Sequence, residues 1–139
     1  THDAIVDRVR SICAAAPFEW TESVSSEAFT YQGIGSANQV FRVQARGGSA
    51  IGGTGYTEER TDSLDVEVIR PINADYDTTR RALFRDVNSL IAAIIRDGHQ
   101  TSGEYTVPSS GRSHSVSGQP GASYLTARLT LPINYEASV

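Results

Sequence analysis

The sequence predicts an α+β fold: an antiparallel or mixed β-sheet packed on one face by two α-helices, with long hairpin and loop extensions. Three observations lead to this prediction. Two segments repeat apolar residues at helical spacing, three alternate apolar and polar residues, and no strand–helix–strand unit recurs. At 139 residues the chain has room for one hydrophobic core, so we expect a single domain over residues 1–139.

The first predicted helix runs from Asp3 to Ala16, and Pro17 stops it. Its apolar side chains form one stripe at spacings of three and four: Ile5, Val9, Ile12, Cys13 and Ala16. Cys13 is the only cysteine and cannot form an intramolecular disulfide, so we expect a buried structural thiol rather than a nucleophile. The polar stretch from Ser23 to Gly35 predicts a short strand or an ordered loop.

Two alternating segments, Val40 to Arg46 and Ser63 to Arg70, predict an antiparallel hairpin that ends at Pro71. The stretch from Gly47 to Gly55 between them has five glycines in nine residues. We expect it to be a long flexible connection with a mobile tip. A phosphate-binding loop is excluded because the chain has no lysine and no Gly-Lys-Ser/Thr ending.

The clearest element is a long helix from Asp75 to Asp97, started by Asp75 or Asp77 and ended by Gly98 as a C-terminal cap. Its apolar stripe consists of Leu83, Val87, Leu90, Ile91, Ile94 and Ile95. The next segment, residues 98–123, is rich in glycine and serine. Tyr105 to Val107 can form a short strand there, and Pro108 to Ala122 is predicted as a long loop.

The closing segment from Tyr124 to Tyr135 alternates apolar and polar residues along its length and is predicted as a long strand. Pro132 lacks a backbone donor, so we expect an edge or a bulge at that end.

Composition and motifs argue against several function classes. The net charge of −4 gives no general attraction to nucleic acid or to an anionic membrane. No apolar run is long enough to span a bilayer, and acidic and basic residues interrupt the N-terminal segment where a secretory signal would be apolar. We therefore expect synthesis in the cytosol.

The sequence also lacks the motifs of metal sites and nucleophiles. His2, His99 and His114 have no companions at metal-ligand spacing, and no serine lies in a nucleophile elbow. The sequence predicts a protein that is not an enzyme and has no metal or cofactor.

Five acidic residues fall within ten positions, in and just before the second predicted hairpin strand: Glu58, Glu59, Asp62, Asp65 and Glu67. A solvated face is the commonest explanation of such a run. A site for a hard cation is disfavoured, because alternation along a strand does not converge oxygens on one point. A third explanation is an acidic wall that repels the DNA backbone, which suits a channel that passes DNA without holding it.

The order of these elements resembles a known family. A helix leads to a hairpin with a long tip; the strand Leu64-Asp65-Val66-Glu67-Val68 precedes an Asp-capped helix. The chain closes on Leu125-Thr126-Ala127-Arg128-Leu129-Thr130-Leu131-Pro132-Ile133-Asn134-Tyr135. This pattern, over roughly Asp3 to Tyr135, is similar to the tail terminator (tail completion) proteins of long-tailed bacteriophages and phage-like particles. The glycine- and serine-rich insertion before the last strand is longer than the family pattern.

The resemblance implies a homohexameric ring in the neck of a virion, assembled in the host cytoplasm. Such a ring caps the tail tube, ends tail elongation and offers a surface for head–tail joining. The implied partners are other copies of the chain, the tail tube protein and the head-completion or connector protein. DNA would only pass through the channel, and no membrane is involved. We expect Arg80, Arg81 and Arg85 to face Asp62 or Glu59 of a neighbouring subunit, and the acids Glu58, Asp65 and Glu67 to face the channel.

Two alternatives stay open. A head-closure or adaptor ring of the head–tail connector would share the oligomeric design but bind on the portal side. A small α+β ligand-binding domain or enzyme belongs to a different class, and it predicts a closed pocket with converging polar groups. A nucleic-acid binder is disfavoured by the acidic balance and the missing basic stripe.

Overall fold

The computed structural model describes residues 2–22, 39–53, 55–72 and 75–138. These residues form a mixed six-stranded sheet packed with two α-helices, which confirms the predicted α+β fold. The predicted strand or loop from Ser23 to Gly35 lies outside the described residues. The elements in chain order are α1 (His2–Ala14), β1 (Thr21–Glu22), β2 (Val40–Gly53), β3 (Thr57–Pro71), α2 (Tyr76–Arg96), a π-turn (Asp97–Ser102), β4 (Tyr105–Thr106), β5 (Ser113–Ser117) and β6 (Tyr124–Ser138).

The sheet has the order β1-β2-β3-β6-β4, with β5 pairing β6 beside β4. Strand β1 pairs β2 in parallel, and every other described pairing is antiparallel. Strands β3 and β6 pair over their full lengths, from Thr57↔Ser138 to Pro71↔Tyr124. This long central pair forms the frame on which the other elements are placed.

The core lies between one face of the sheet and both helices. Alternation turns Leu64, Val66 and Val68 of β3 toward the helices, together with the apolar positions of β6. The facing helical side chains are Ile5, Val9 and Cys13 of α1 and Leu83, Val87, Leu90 and Ile94 of α2. Cys13 is fully buried as predicted, and burial raises the pKa of its thiol to about 12. The thiol therefore stays protonated near neutral pH and is a poor nucleophile.

Helix α2 begins as predicted but ends differently. The Asp75 carboxylate accepts a hydrogen bond from the Thr78 backbone N–H at 3.1 Å, which identifies Asp75 rather than Asp77 as the N-cap. Gly98 was expected to end the helix, but the chain continues through the π-turn, and Gly103 adopts the left-handed conformation at φ 67°. Gly98 is required for another reason, since a Cβ there would collide with the Tyr105 ring.

The prediction of a long flexible connection from Gly47 to Gly55 is wrong. Residues up to Gly53 belong to β2 and pair with β3, so the hairpin itself is confirmed but its turn is short. Two bulges in β2 accommodate the glycines. At Gly48 the backbones approach so closely that a Cβ would collide with the Thr61 carbonyl oxygen and Asp62. The glycines thus permit pairing where the sequence pattern indicated mobility.

The predicted long loop from Pro108 to Ala122 also needs correction, because it contains β5, which pairs with β6. The short strand at Tyr105–Thr106 and the long closing strand are confirmed, although β6 extends to Ser138. Pro132 lies between the residues of β6 that pair with β5 and those that pair with β4. Within the described residues Pro132 has no strand partner on that side of β6, so the expected edge is confirmed there; the expected bulge is not, because the β3–β6 register runs through Pro132 without a shift.

Candidate interaction surfaces

The hairpin carries an extension that we call the arm, formed by Arg46–Gly53 of β2 and Thr57–Thr61 of β3. All of its β2 residues are exposed, unlike the buried start of the same strand. Two large apolar side chains are exposed here: Ile51 at 54% and Tyr56, in the turn, at 86%. Within the described residues, only β1 pairs along the outer edge of β2, at Val40 and Phe41. The arm therefore presents apolar side chains and a strand edge on which a further strand can pair.

An open groove of about 330 Å³ lies between the arm and β4, and we call it the acidic groove. Glu59, Glu104 and Glu136 line it beside Ile51, and all three carboxylates are exposed. Glu59 of β3 stands directly opposite Glu136 of β6 in the strand register. Like charges in that position repel each other, so a cation that enters the groove relieves the repulsion.

The exposed side of α2 is basic, and we call it the arginine face. Arg81, Arg85 and Arg96 are exposed and follow one another at helical spacing. Arg81 lies 3.0 Å from Asp77 in an exposed i,i+4 ion pair of little energetic weight. Arg80 is half-buried and stacks 4.7 Å above the centre of the Phe84 ring. Of the predicted interface arginines, Arg81 and Arg85 are thus the better placed to reach another molecule.

The predicted acidic wall does not form as one surface. Alternation along β3 turns Asp65 and Glu67 away from the helices but turns Glu58 toward the opposite face. Asp65 is only 2% exposed. Glu67 lies 3.0 Å from Arg42, and Glu58 lies 2.9 Å from Arg60. Arginines on the same chain thus neutralise these acids.

Asp62, expected at the subunit interface, is only 7% exposed and accepts a hydrogen bond from the Tyr135 hydroxyl at 2.7 Å. Its carboxylate therefore offers little surface to a neighbouring subunit, whereas Glu59 remains exposed. Sequence reasoning missed Glu104 and Glu136, which join Glu59 only through the pairing of β6 with β3 and β4. The strand register was the signal needed to find them.

A polar network covers the middle of the sheet face that points away from the helices. The Oδ2 atom of Asp65 lies 2.6 Å from Nε of Arg46 and 2.9 Å from Nη2 of Arg128. The Thr130 hydroxyl donates to its Oδ1 atom at 2.9 Å. Burial alone would raise the pKa of Asp65, but the hydrogen bonds from Arg128 and Thr130 and the Arg46 charge outweigh burial. The net shift of the pKa is downward, so the carboxylate stays ionised.

A second network joins α1 to the π-turn. Arg8 holds Asp97 with Nε and Nη2 at 3.0 and 2.7 Å, and the Tyr105 hydroxyl donates to the same carboxylate at 2.9 Å. The hydrogen bond from Arg8 is the largest influence on Asp97 and outweighs burial, so its pKa is lowered. Burial and the neighbouring carboxylate raise the pKa of Tyr105. Arg8 and Tyr105 thus both bind the Asp97 carboxylate, which indicates a structural role.

The described histidines lie apart. His99 is exposed in the π-turn, and the His114 ring packs against Phe84 of α2 with ring centres 6.3 Å apart. In the part of the chain that the structure describes, no group of three or more His, Cys, Asp or Glu side chains is arranged to hold a metal ion. None of the described helices is long and apolar enough to cross a membrane.

Comparison of the sequence with models of known protein families and with curated proteins found no match. The structure itself gives the class of protein: an α+β domain with a long hairpin arm and two exposed surfaces of opposite charge.

Proposed function

We propose that the chain is a structural subunit of a virion tail, which assembles into a homo-oligomeric ring of the tail terminator type. The ring caps the tail tube, ends its elongation and joins the tail to the head-completion complex. The single observation that supports self-association best is the pair of complementary surfaces, the acidic groove and the arginine face. That the ring is a tail terminator rests in addition on the resemblance in the order of the helices and strands.

The two surfaces favour a contact between molecules rather than within one. The acidic groove includes Glu59 and Glu136, which point away from the helices, whereas the arginine face lies on the outside of α2. The sheet separates them, so Arg81 and Arg85 reach a groove only on another subunit. A contact between two different surfaces is head-to-tail, and repetition closes a ring when the rotation between subunits allows it.

The arm supplies further contact area. Ile51 lies beside the acids of the groove and is exposed, so an incoming subunit would cover apolar surface as well as charge. Bidentate pairing of arginine with carboxylate is strong and directional, which fits a chain whose basic residues are all arginine. The proposed function requires no catalytic group and no cofactor.

The experiment that tests the function is electron microscopy of particles assembled without this protein. A tail terminator predicts tails of uncontrolled, excessive length that carry no heads, and restoration of normal length when the protein is supplied. Tails of normal length beside leaking heads would contradict this function and identify a head-closure ring. Normal particles would contradict both.

A further inference from the structure

The sheet face that points away from the helices contains a second open depression, separate from the acidic groove. Its volume is about 300 Å³, and it is lined by Arg46, Ser113, His114, Ser115, Arg128 and Thr130. These residues come from β2, β5 and β6, and Asp65 of β3 lies beneath two of them. The depression exists only because β5 pairs with β6 and brings two serines alongside Arg128 and Thr130.

Asp65 holds two arginine side chains in place. Its Oδ2 atom lies 2.6 Å from Nε of Arg46 and 2.9 Å from Nη2 of Arg128, so one buried carboxylate orients both guanidinium groups. Each guanidinium has five N–H donors, and these contacts use only a small part of them. The side chains of Arg46 and Arg128 are 55% and 47% exposed, so their remaining donors are accessible from the depression.

The charges and hydroxyl groups of the network favour an anion. Arg42, Arg46 and Arg128 provide three positive charges against the two carboxylates of Asp65 and Glu67, which leaves one positive charge in excess. This local excess stands out in a chain of net charge −4. Ser113 and Ser115 are exposed on the strand beside Arg128, where their hydroxyls can donate to the same ligand.

We propose that this depression binds a phosphate group, held by Arg46 and Arg128 and by the hydroxyls of Ser113 and Ser115. A tetrahedral oxyanion has acceptor oxygens in several directions. This fits a site whose hydrogen-bond donors lie on β2 at one side and on β5 and β6 at the other. The group is either free inorganic phosphate or a phosphodiester of a nucleic acid. The site is independent of the proposed ring function, since it uses neither the acidic groove nor the arginine face.

The test is a nuclear magnetic resonance titration of the whole chain with sodium phosphate, against sodium chloride at equal ionic strength. We expect saturable shifts of the Ser113 and Ser115 amides and of the Arg46 and Arg128 Nε–H groups. Loss of a charge-assisted hydrogen bond predicts about tenfold weaker binding for Arg46→Gln. The matched control is Arg10→Gln, which removes one partly exposed, ion-paired arginine from α1, outside the depression and both interaction surfaces, and should leave the phosphate affinity unchanged.

Arg46→Gln keeps the contacts of Asp65 with Arg128 and Thr130, and an unchanged melting temperature would show that the variant is folded. Ser113→Ala with Ser115→Ala is the second variant; it leaves the ion pairs intact and should also weaken binding. Shifts that do not saturate, or an affinity that both variants leave unchanged, would overturn the proposal.

A second titration, with a short DNA duplex, distinguishes the two sources of phosphate. If the duplex shifts the same four groups at lower concentration than phosphate does, the ligand is a phosphodiester. If phosphate binds and the duplex does not, the ligand is a small free anion. If the duplex shifts the arginines of α2 instead, and phosphate leaves Ser113 and Ser115 unaffected, the depression is not an anion site.

Discussion

Strand β3 carries two kinds of acidic residue, and their surroundings differ sharply. In the middle of the sheet, Asp65 and Glu67 face arginines on both neighbouring strands, and each makes ion pairs within the chain. At the arm, Glu59 on the same face stands opposite another glutamate, Glu136. We call the first region complete because each of its acids pairs with an arginine of the same chain, whereas the acids of the second gain stability only from a cation supplied from outside. Acids of the same strand thus divide into structural groups and groups available to a partner.

The largest effect should follow from removal of Asp65, which breaks the complete region. Asp65→Ala leaves Arg46 and Arg128 beside each other without their shared carboxylate. Since both arginines are about half exposed, water will screen part of the repulsion, and we expect a loss of about 2–3 kcal/mol in the free energy of unfolding. Urea denaturation measures it. An effect no larger than that of Glu59→Ala would contradict the distinction between the two regions.

The arm can be broken without any change of charge. Gly48→Ala places a Cβ against the Thr61 carbonyl oxygen, so the β2 backbone must move away from β3; we expect a loss of about 1–3 kcal/mol. Gly47→Ala is the matched control, because its Cβ would meet no atom within 4 Å. Thermal unfolding of both variants gives the comparison. Equal melting temperatures would show that the glycine-rich part of β2 is not paired as described.

Acid should weaken both ion-pair networks, that of Asp65 in the sheet and that of Asp97 beside α1. The pKa values of Asp65 and Asp97 are lowered from the ordinary value of 3.8, so both carboxylates stabilise the fold while they are ionised. The sign follows from linkage: their contribution is fully present above the unfolded-state pKa and is lost as the pH falls through the lowered folded-state pKa. Unfolding measured from pH 6 down to about pH 2 should show this loss. The double variant Asp65→Asn, Asp97→Asn should have a lower free energy of unfolding at pH 6 than the wild type. Its free energy of unfolding should then fall less as the pH is lowered.

The smallest effect should come from the acidic groove. Glu136→Gln removes one member of the like-charge pair, so an isolated subunit should gain up to about 0.5 kcal/mol, while proposed self-association should weaken. Glu58→Gln is the control, because Glu58 lies on the other face of β3 and pairs with Arg60. Chemical denaturation at low protein concentration measures the stability. A clear destabilisation by Glu136→Gln would show that Glu136 has a structural role.

Residue periodicity was sufficient to predict both helices and the three long strands, because each buries one face against the core. It failed for β5, whose residues are exposed or half-buried and so show no alternation of hydropathy. It failed for the glycine-rich part of β2 because glycines pair through the backbone alone. The π-turn was missed because a glycine after a helical segment usually marks the helix end, whereas Gly98 makes room for the Tyr105 ring.

The candidate surfaces were harder to predict than the fold. The acidic run of β3 was visible in the sequence, yet which of its acids are available depends on the opposite residue in the sheet. Asp65 stands opposite Thr130 and diagonally near Arg128, whereas Glu59 stands opposite Glu136. Such pairs depend on the register between segments that are far apart in the chain, 65 residues for Asp65↔Thr130 and 77 for Glu59↔Glu136. Periodicity within one segment carries no information about that register.

If the acidic groove of one subunit binds the arginine face of the next, an exchange of charge between the two surfaces should abolish assembly and then restore it. One variant carries Arg81→Glu and Arg85→Glu, and the other carries Glu59→Arg and Glu136→Arg. In each variant the groove and the helix face have the same charge, so neither should assemble alone. Mixed in equal amounts, they should form rings in which the two alternate, since each groove then meets an oppositely charged helix.

Assembly is measured as particle mass by light scattering, with tail tubes added for the wild type and for each variant. We expect rings from the wild type, no rings from either variant alone, and rings again from the mixture. Rings formed by either variant alone, or a mixture that stays as single subunits, would show that the acidic groove and the arginine face do not form the subunit contact.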